Sequence, residues 1–457
     1  MEIKELDKYT SYYFIGIGGI GMSALARLFL NDGKKVAGYD RVLSPLTQEL
    51  EDQGIKVHYN DDISLIESEF KDKKHTMVVY TPAVPSSHSE LNFFIDNGFT
   101  VVKRSKMLGV VSHGKYLMAV AGTHGKTSTS TMLAHLNKLA STDGDGSAVL
   151  GGISRNYGSN LILGKGKRLT VEADEFDRSF LQLYPNVALI TSTDSDHLDI
   201  YGTHEEFAKG FGQFASQVKD TLIYRSGIDL VLPPIRCFSY GTDERSDFYA
   251  INMSLQQSGC YDFDVVMPDR VVKNIHLGIP GRINVENCVG AMAMMWVAGF
   301  DEAKAREALA SFRGVKRRFE IYINTPNRLY IDDYAHHPTE LRATIESVRA
   351  MYPGRHLTIA FQPHLYSRTR DFAQGFAESL SLSDRTILIP IYPAREEPIE
   401  GVTSGMLLDM ITISDKRLID RDKLVDEVAA LDCDIFISFG AGDIGLLSEE
   451  FAKKLKV

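Results

Sequence analysis

A glycine-rich segment in the second hundred residues has the composition of a phosphate-binding loop. It follows an apolar run, Tyr116–Ala121, that predicts a strand, and it precedes a predicted helix that continues to about Leu139. Its residues are Gly122, Thr123, His124, Gly125, Lys126, Thr127 and Ser128. In such a loop, backbone N–H groups bind phosphates, the lysine neutralises the β- and γ-phosphate oxygens, and the threonine hydroxyl can bind Mg²⁺. The first glycine of the usual G-x-x-x-x-G-K-[ST] pattern is replaced by Val120, but the remaining residues still predict an ATP site.

Two acidic segments could complete this site. Residues 172–175, Glu-Ala-Asp-Glu, follow one apolar run, and residues 194–199, Asp-Ser-Asp-His-Leu-Asp, follow another. Ligands bind at the carboxyl ends of strands in α/β sheets, and Mg²⁺ prefers oxygen ligands. Glu172 is therefore a candidate magnesium ligand, and His197 lies among the carboxylates of the second segment.

Another glycine-rich segment lies near the start of the chain and fits the pattern G-x-G-x-x-G. It consists of Gly16, Ile17, Gly18, Gly19, Ile20 and Gly21, between a predicted strand at 12–16 and a predicted helix at 22–30. Glycines here let the backbone approach a diphosphate, and Asp40 ends the next strand, where an acidic residue would reach a ribose hydroxyl. The pattern predicts a nucleotide or nucleotide-sugar site, without distinguishing NAD from a UDP-sugar.

These segments lie in a chain whose short β-rich runs alternate with helical patterns, as is typical of parallel α/β sheets. Further strands are predicted at 35–39, 76–80, 100–103, 168–172 and 187–191. A third α/β region near the end contains a helix at 340–352 and strands at 357–361, 386–391 and 434–439. We expect an α/β protein with three domains, at 1–108, 109–313 and 314–457.

Composition narrows the functional classes. The chain has 457 residues, with 50 Lys and Arg against 60 Asp and Glu, which gives a net charge of −10. This acidic balance argues against nucleic-acid binding. The longest apolar stretch, 289–300, is too short for a bilayer, which takes roughly 20 apolar residues. The first residues lack an apolar signal core, so we expect a cytoplasmic protein without membrane insertion. Four scattered cysteines predict neither disulfides nor structural zinc.

The motifs, taken in order, resemble the Mur ligases of bacterial peptidoglycan synthesis. The resemblance rests on the loop at 122–127, the acidic segments at 172–175 and 196–199, and residues 332–340, Asp-Asp-Tyr-Ala-His-His-Pro-Thr-Glu. The first glycine loop, residues 361–364 (Phe-Gln-Pro-His) and residues 367–369 (Ser-Arg-Thr) are similar to the alanine-adding branch of that family. The resemblance implies a Rossmann-like N-terminal domain, a central P-loop ATPase-like domain and a C-terminal Rossmann-like α/β domain.

The resemblance also implies a reaction. The lactyl carboxylate of UDP-N-acetylmuramate would attack the γ-phosphate of ATP to give an acyl phosphate. The amine of L-alanine would then attack that carbonyl and release phosphate. The first domain would hold the UDP-sugar through Gly18, Gly19, Ile20, Gly21 and Asp40, the second domain would hold ATP, and the third would hold the amino acid. The oligomeric state is left open.

By the same resemblance, Lys126 would hold the γ-phosphate, Thr127 with Glu172 one Mg²⁺, and His197 a second Mg²⁺. Asn284 and Asn287 would bind adenine, and their spacing places both amides on one face of a helix.

In the third domain, Tyr334 and His336 would face the amino acid, and His337 and Arg368 would face the transferring phosphate. Adjacent histidines on an extended segment point to opposite sides, so only one of His336 and His337 is expected to reach the chemistry. His337, directly before Pro338, could instead begin a helix. Arg368 could stabilise the acyl phosphate or bind a substrate carboxylate.

The chain departs from the family pattern at Ser192, Asp194, Ile283 and Leu365, which stand in place of asparagine, glutamate, histidine and arginine respectively. Phe211 stands where several relatives carry a carbamylated lysine, so lysine carbamylation is not expected.

Three alternatives remain at this point. They are a recycling ligase that attaches a preformed tripeptide, an NAD-dependent nucleotide-sugar dehydrogenase, and an ATP-binding regulatory module. The dehydrogenase would leave the loop at 122–127 unexplained, and a binding module would not require the acidic clusters.

Overall fold

The computed structural model describes residues 3–194, 201–394, 396–431 and 433–456. These residues form three sheets and divide into two compact units. The first unit comprises Met1–Asn252, Phe263–Ile275 and Glu286–Phe312, and the second comprises Met253–Asp262, His276–Val285 and Arg313–Val457. The prediction of three α/β domains is confirmed. The boundaries at 108 and 313 stay a prediction.

The first sheet has five parallel strands in the order β3-β2-β1-β4-β5. The strands are β1 (Ser11–Ile15), β2 (Lys35–Tyr39), β3 (Lys56–His58), β4 (Thr76–Tyr80) and β5 (Thr100–Lys103), with helices α1 (Ile20–Asn31), α2 (Pro45–Asp52), α3 (Ser89–Asp96) and α4 (Arg104–Ser112). All five residues of β1 are buried, as expected for a parallel strand covered on both faces. Strand order reverses at β1, so the first glycine loop leaves the sheet at a position where α/β folds bind ligands.

The second sheet has ten strands in the order β15-β14-β13-β12-β11-β10-β6-β9-β7-β8. They are β6 (Tyr116–Ala121), β7 (Ser147–Ser154), β8 (Ser159–Ile162), β9 (Arg168–Glu172), β10 (Val187–Ile190), β11 (Thr221–Arg225), β12 (Arg236–Gly241), β13 (Phe248–Leu255), β14 (Tyr261–Met267) and β15 (Arg270–His276). The helices are α5 (Lys126–Leu139), α6 (His204–Ser216), α7 (Arg282–Ala298) and α8 (Glu302–Ser311). Strand β6 lies between β10 and β9, and all three are parallel, so the loops that follow them meet at one edge.

The third sheet has the order β16-β17-β21-β18-β19-β20, and β16 is its antiparallel strand. Its strands are β16 (Glu320–Asn324), β17 (Leu329–Asp333), β18 (Leu357–Phe361), β19 (Arg385–Leu388), β20 (Lys416–Leu418) and β21 (Ile435–Phe439). Its helices are α9 (Pro338–Met351), α10 (Tyr366–Asp371), α11 (Ala373–Leu380), α12 (Ser404–Met410), α13 (Leu424–Ala429) and α14 (Ser448–Leu455). Short 3₁₀ segments lie at Ile3–Lys8, Ile63–Leu65, Ser68–Phe70, Phe176–Gln182, Arg421–Lys423 and Asp443–Leu447.

The first two sheets share one hydrophobic cluster within the first unit. Met22 and Leu25 of α1 belong to the same cluster as Val149 of β7, and Leu161 of β8 packs against it. Burial of apolar area stabilises the folded state by roughly 25 cal/mol per Å². The shared cluster therefore holds α1, and the glycine loop before it, against the second sheet.

The cysteines and the lengths of the helices bear on two further expectations, the lack of disulfides and the lack of membrane insertion. None of the four cysteines, all of which the structure describes, takes part in a disulfide. Within the described ranges, every helix is too short or too polar to cross a bilayer.

Candidate functional site

The phosphate-type loop joins β6 to α5 and makes very close contacts with the end of β10. Gly122 has a φ of +127°, and a Cβ at this position would lie 2.1 Å from the Thr191 hydroxyl oxygen. Only glycine fits this conformation and this approach. Lys126 is the first residue of α5, directly after Gly125 at the N-cap. The loop's backbone therefore stands at the carboxyl edge of the sheet, as the motif predicted.

The Lys126 ammonium is almost enclosed by the loop and an acidic partner. It donates to the carbonyl oxygens of Gly122 and Thr123, and it lies 2.8 Å from a carboxylate oxygen of Glu175. Burial opposes its charge, but Glu175 and Glu172 outweigh burial and raise the pKa of Lys126. Burial raises the pKa of Glu175 to about 7, even though Lys126 lowers it. Lys126 is therefore charged at neutral pH.

Oxygen atoms suited to a hard cation lie one residue further along α5. The Thr127 hydroxyl donates to Glu172 Oε1 at 3.0 Å, and Glu172 Oε2 accepts from the backbone N–H of Gly151 at 3.2 Å. One hydroxyl and one carboxylate fit Mg²⁺, which usually keeps several waters and phosphate oxygens as its other ligands. In the described part of the chain, no group of three or more His, Cys, Asp or Glu side chains could hold a metal ion.

The segment after β10 also holds the loop. Ser192 Oγ accepts from the His124 N–H at 2.8 Å, and the Thr123 hydroxyl donates to the Asp194 carbonyl oxygen. His124 Nε2 lies 3.5 Å from an Asp194 carboxylate oxygen. Ser192, a departure from the family pattern, thus contributes directly to the loop's shape. His197 lies outside the described residues.

The two asparagines predicted for adenine belong to different units. Asn287 lies beside the loop, because its Oδ1 accepts from the Thr129 hydroxyl at 3.2 Å and is 3.0 Å from a Cβ built on Gly125. Asn284 donates to the Pro280 carbonyl oxygen at 2.7 Å within the second unit. Ser128, on the first turn of α5, is half-buried.

The first glycine loop is fixed by the acidic residue directly after β2. Asp40 Oδ2 accepts from the Gly18 N–H at 2.7 Å, and Gly16 and Ile17 donate to the Tyr39 carbonyl oxygen. Gly19 precedes α1 as its N-cap, and Ile20 is the first residue of that helix. In this structure Asp40 holds the loop in place, and its contact with a ribose stays a prediction.

Aromatic and basic side chains that follow the strands of the third sheet lie in a row. The row contains three of the four residues predicted for the third domain. Arg368 Nη1 donates to His364 Nδ1 at 3.3 Å, and the His364 ring lies 6.0 Å from the His336 ring. The His336 ring contacts Tyr334 at 5.3 Å, and the Tyr334 ring lies 4.8 Å from the Arg318 guanidinium. Tyr334, His336 and Arg368 therefore form one continuous cluster with His364, a residue to which the motifs gave no role.

His337 lies apart from this cluster. Its ring packs 4.6 Å from Phe372, and its Nδ1 accepts from the Thr339 N–H at the start of α9. The structure therefore shows the helix-start position that the sequence left as an alternative. The catalytic assignment of His337 stays a prediction. His336 is the histidine that lies next to His364, the hydrogen-bond partner of Arg368.

Arg368 itself is 5% exposed, although an arginine that opens a helix is usually at the surface. The backbone N–H and hydroxyl of the neighbouring Ser367 both donate to Glu396, which fixes the start of α10. A guanidinium held in a buried position is suited to bind a carboxylate or phosphate with defined geometry.

Three family descriptions match successive parts of the chain. Residues 11–116 match the Mur ligase family, catalytic domain, residues 120–295 match the Mur ligase middle domain, and residues 317–442 match the Mur ligase glutamate ligase domain. A Parabacteroides distasonis protein named UDP-N-acetylmuramate–L-alanine ligase is 48% identical over 451 residues, covering 97% of each chain. The chain belongs to the Mur ligase family. A Flavobacterium johnsoniae protein of the same name is 47% identical, over 98% of this chain and 99% of its own.

Solved structures of Mur ligases share the fold. A UDP-N-acetylmuramate–alanine ligase from Thermotoga maritima has a TM-score of 0.82 at 25% identity, covering 98% of this chain and 99% of its own. A murein peptide ligase from Psychrobacter arcticus has a TM-score of 0.69 at 22% identity, covering 98% of both chains. The second likeness concerns the fold alone.

One residue of this Mur ligase that the motifs did not indicate is Arg104, at the start of α4. Its Nη2 donates to Asp174 Oδ2 at 3.0 Å, and its Nη1 is 2.7 Å from a Cβ built on Gly21. Arg104 thus lies between the first glycine loop and the acidic segment at 172–175. The sequence signal for Arg104 was its position directly after a predicted strand. Its partner Asp174 is 70 residues away in the chain, so the sequence did not indicate the contact.

A buried carboxyl group lies behind the first sheet of the Mur ligase. Glu90, on the first turn of α3, is 0% exposed and accepts from the Tyr13 hydroxyl at 2.7 Å. His58 Nε2 lies 3.3 Å from its other oxygen, and His88 contacts the neighbouring Asp61 at 3.3 Å. Burial raises the pKa of Glu90 to about 7, and burial also lowers the pKa values of His58 and His88.

Glu90→Gln is expected to remove a pH-dependent loss of stability. The folded protein holds the Glu90 proton more tightly than the unfolded chain, so stability falls as pH rises from about 4.5 to about 7. The upper limit of this loss is about 3 kcal/mol. The melting temperature of Glu90→Gln relative to the parent chain should therefore increase between pH 5 and pH 8. Glu69→Gln, at an exposed position, is the control, and a difference that does not change with pH would contradict the expectation.

Proposed function

We propose that the chain is an ATP-dependent ligase that joins L-alanine to the lactyl carboxylate of UDP-N-acetylmuramate. The reaction proceeds through an acyl phosphate and gives ADP and phosphate, in peptidoglycan precursor synthesis. The observation that carries the proposal is the full-length likeness to relatives named for this ligase. The three groups of residues described above support it, because each suits one of the three substrates.

In this proposal the UDP-sugar diphosphate binds the loop that contains Gly18, Gly19, Ile20 and Gly21, with Asp40 at the ribose. Backbone N–H groups at the N-terminus of α1 stabilise the negative charge of the diphosphate. ATP binds the loop at 122–128, with Asn284 and Asn287 at the adenine. L-alanine binds in the cluster of Tyr334 and His336.

Thr127 and Glu172 would hold Mg²⁺, with His197 as the proposed ligand of a second ion. When bound, Mg²⁺ supplies positive charge that neutralises phosphate oxygens. The fit rests on the hydroxyl–carboxylate pair at 3.0 Å, which offers only oxygen atoms. Lys126 exchanges its contact with Glu175 for the γ-phosphate when ATP binds, and the short loop keeps its ammonium beside the transferred group.

Both chemical steps build negative charge on oxygen atoms. Catalysis therefore depends on positioning and on charges that are fixed before the reaction. Lys126 stabilises the phosphate as it is transferred. Arg368, supported by His364, either stabilises the acyl phosphate or holds the amino-acid carboxylate. These two roles differ in whether an Arg368 variant changes kcat or KM.

The proposed partners are these small molecules, without nucleic acid. The proposed location is the cytoplasm, where ATP is available. The absence of disulfides among the four cysteines is consistent with a reducing compartment.

The test is phosphate release by the purified protein with ATP, Mg²⁺, UDP-N-acetylmuramate and single amino acids. Phosphate is expected only when every component is present and the amino acid is L-alanine or one of similar size. Parallel reactions replace L-alanine with the preformed tripeptide, or ATP with NAD. Release that does not depend on the amino acid, a preference for the tripeptide, or NADH formation without ATP would contradict the proposal.

A further inference from the structure

The β7–β8 hairpin of the second sheet contacts the start of α1, where the first glycine loop ends, and the side chain of Glu172, which accepts from the Thr127 hydroxyl. Its first strand supports Glu172, because the Gly151 N–H donates to Glu172 Oε2 at 3.2 Å. A Cβ on Gly151 would lie 2.4 Å from the Glu172 carboxyl atoms, so the strand passes directly against this side chain. The hairpin therefore defines where the carboxylate beside Thr127 can lie.

The second strand of the hairpin reaches the first turn of α1. Asn160, on β8, is 0% exposed. Its side-chain amide donates to the Ile20 carbonyl oxygen and, at 2.9 Å, to Ser23 Oγ. Ile20 lies between Gly19 and Gly21, so these bonds fix the helix start that follows the first glycine loop.

The remaining polar atom of Asn160 is also used. Arg27, one turn further along α1, donates from Nη1 to Asn160 Oδ1. The same guanidinium donates from Nη2 to Glu49 at 2.9 Å and from Nε to Gln53 at 3.0 Å. Arg27 is 6% exposed, so this network is buried and each lost bond leaves a polar group without its partner.

We infer that Asn160 is a positioning residue that holds the nucleotide-sugar loop at a fixed distance from the Glu172 side of the ATP site. The inference rests on the proposed function, because it assigns a nucleoside diphosphate sugar to the first loop. The hairpin is the physical connection, with Gly151 against Glu172 at one strand and Asn160 against α1 at the other. Transfer of phosphate to the sugar carboxylate requires the two loops in register, and a misplacement of about 1 Å can cost about a hundredfold in rate.

The test compares Asn160→Ala and Asn160→Asp with the parent chain by titration calorimetry. UDP-N-acetylmuramate is expected to bind about tenfold more weakly to Asn160→Ala, because a buried bond network is lost. A non-hydrolysable ATP analogue is expected to bind both variants as it binds the parent. Asn160→Asp keeps an acceptor for Arg27 but loses the donor to the Ile20 carbonyl and to Ser23 Oγ, so it should also weaken sugar-nucleotide binding.

Ser159→Ala is the matched control, since Ser159 neighbours Asn160 on β8 and its hydroxyl accepts from the nearby Leu161 N–H. This variant should bind both nucleotides normally. An equal loss of affinity for both nucleotides in Asn160→Ala would indicate general loosening and overturn the inference, as would unchanged affinity for both.

A second measurement does not depend on any substrate. Amide hydrogen exchange of residues 18–24 should be at least about tenfold faster in Asn160→Ala, with exchange at the start of α5 unchanged. Unchanged exchange at 18–24 would overturn the inference. Failure of the parent chain to bind UDP-N-acetylmuramate would instead contradict the proposed function, so the two failures are distinguishable.

Discussion

Lys126→Ala is expected to lower turnover by at least about a thousandfold, because it removes the fixed positive charge beside the transferred phosphate. Phosphate release in the presence of all substrates measures the loss. Binding of UDP-N-acetylmuramate, by calorimetry, should stay within about twofold of the parent value, because the first glycine loop is a separate site. Loss of UDP-sugar binding in this variant would mean that the two loops are not separate sites.

The variant also changes stability, and this effect needs its own control. Glu175 has a side chain that is 2% exposed, and Lys126 is its cationic partner. Leaving such a carboxylate buried alone costs about 3–5 kcal/mol unless it takes up a proton. The double variant Lys126→Ala/Glu175→Gln should regain most of the melting temperature and none of the activity. Recovery of activity in the double variant would contradict the role assigned to Lys126.

Arg368→Ala is expected to reduce kcat/KM for L-alanine by about a hundredfold or more, because it removes a buried guanidinium suited to bind a carboxylate or phosphate. Arg368→Lys keeps the charge but lacks the planar fork, and it should still lose about tenfold. Steady-state kinetics with varied L-alanine measure both variants. A rise in KM indicates that Arg368 holds the amino-acid carboxylate, and a fall in kcat indicates that it stabilises the acyl phosphate.

Arg370→Ala is the control for the Arg368 variants. Arg370 lies on the same short helix, is 54% exposed at its side chain, and pairs with its neighbour Asp371. Its removal should leave both kinetic constants unchanged, since an exposed pair of this kind contributes little. Equal effects at Arg368 and Arg370 would show that the helix as a whole, and not the guanidinium of Arg368, is required.

The strands around the site were predictable because their signals are local. Strands β2, β4, β5, β6, β9 and β18 have the predicted bounds, since each is an apolar run between polar or glycine residues. The loop before Lys126 was predictable for the same reason, because its glycines, lysine and threonine are adjacent in the chain. Predictions of this kind need no knowledge of which distant segments meet.

The partners of the site residues could not be predicted from such patterns. Lys126 meets Glu175 across 49 residues, Arg104 meets Asp174 across 70, and Arg27 meets Asn160 across 133. These pairs depend on which strands become neighbours in the sheets. The burial of Arg368 is similar, because the sequence shows an arginine at a helix start and not the packing that encloses it.

The hydrophobic cluster shared by the first two sheets limits how this protein can be recombined. Apolar residues of α1 pack with those of the β7–β8 hairpin, which begins more than a hundred residues later in the chain. A chimaera joined to another Mur ligase near residue 108 would therefore place α1 against a foreign hairpin. Exchange of the nucleotide-sugar domain between relatives should succeed only when the hairpin is transferred with it.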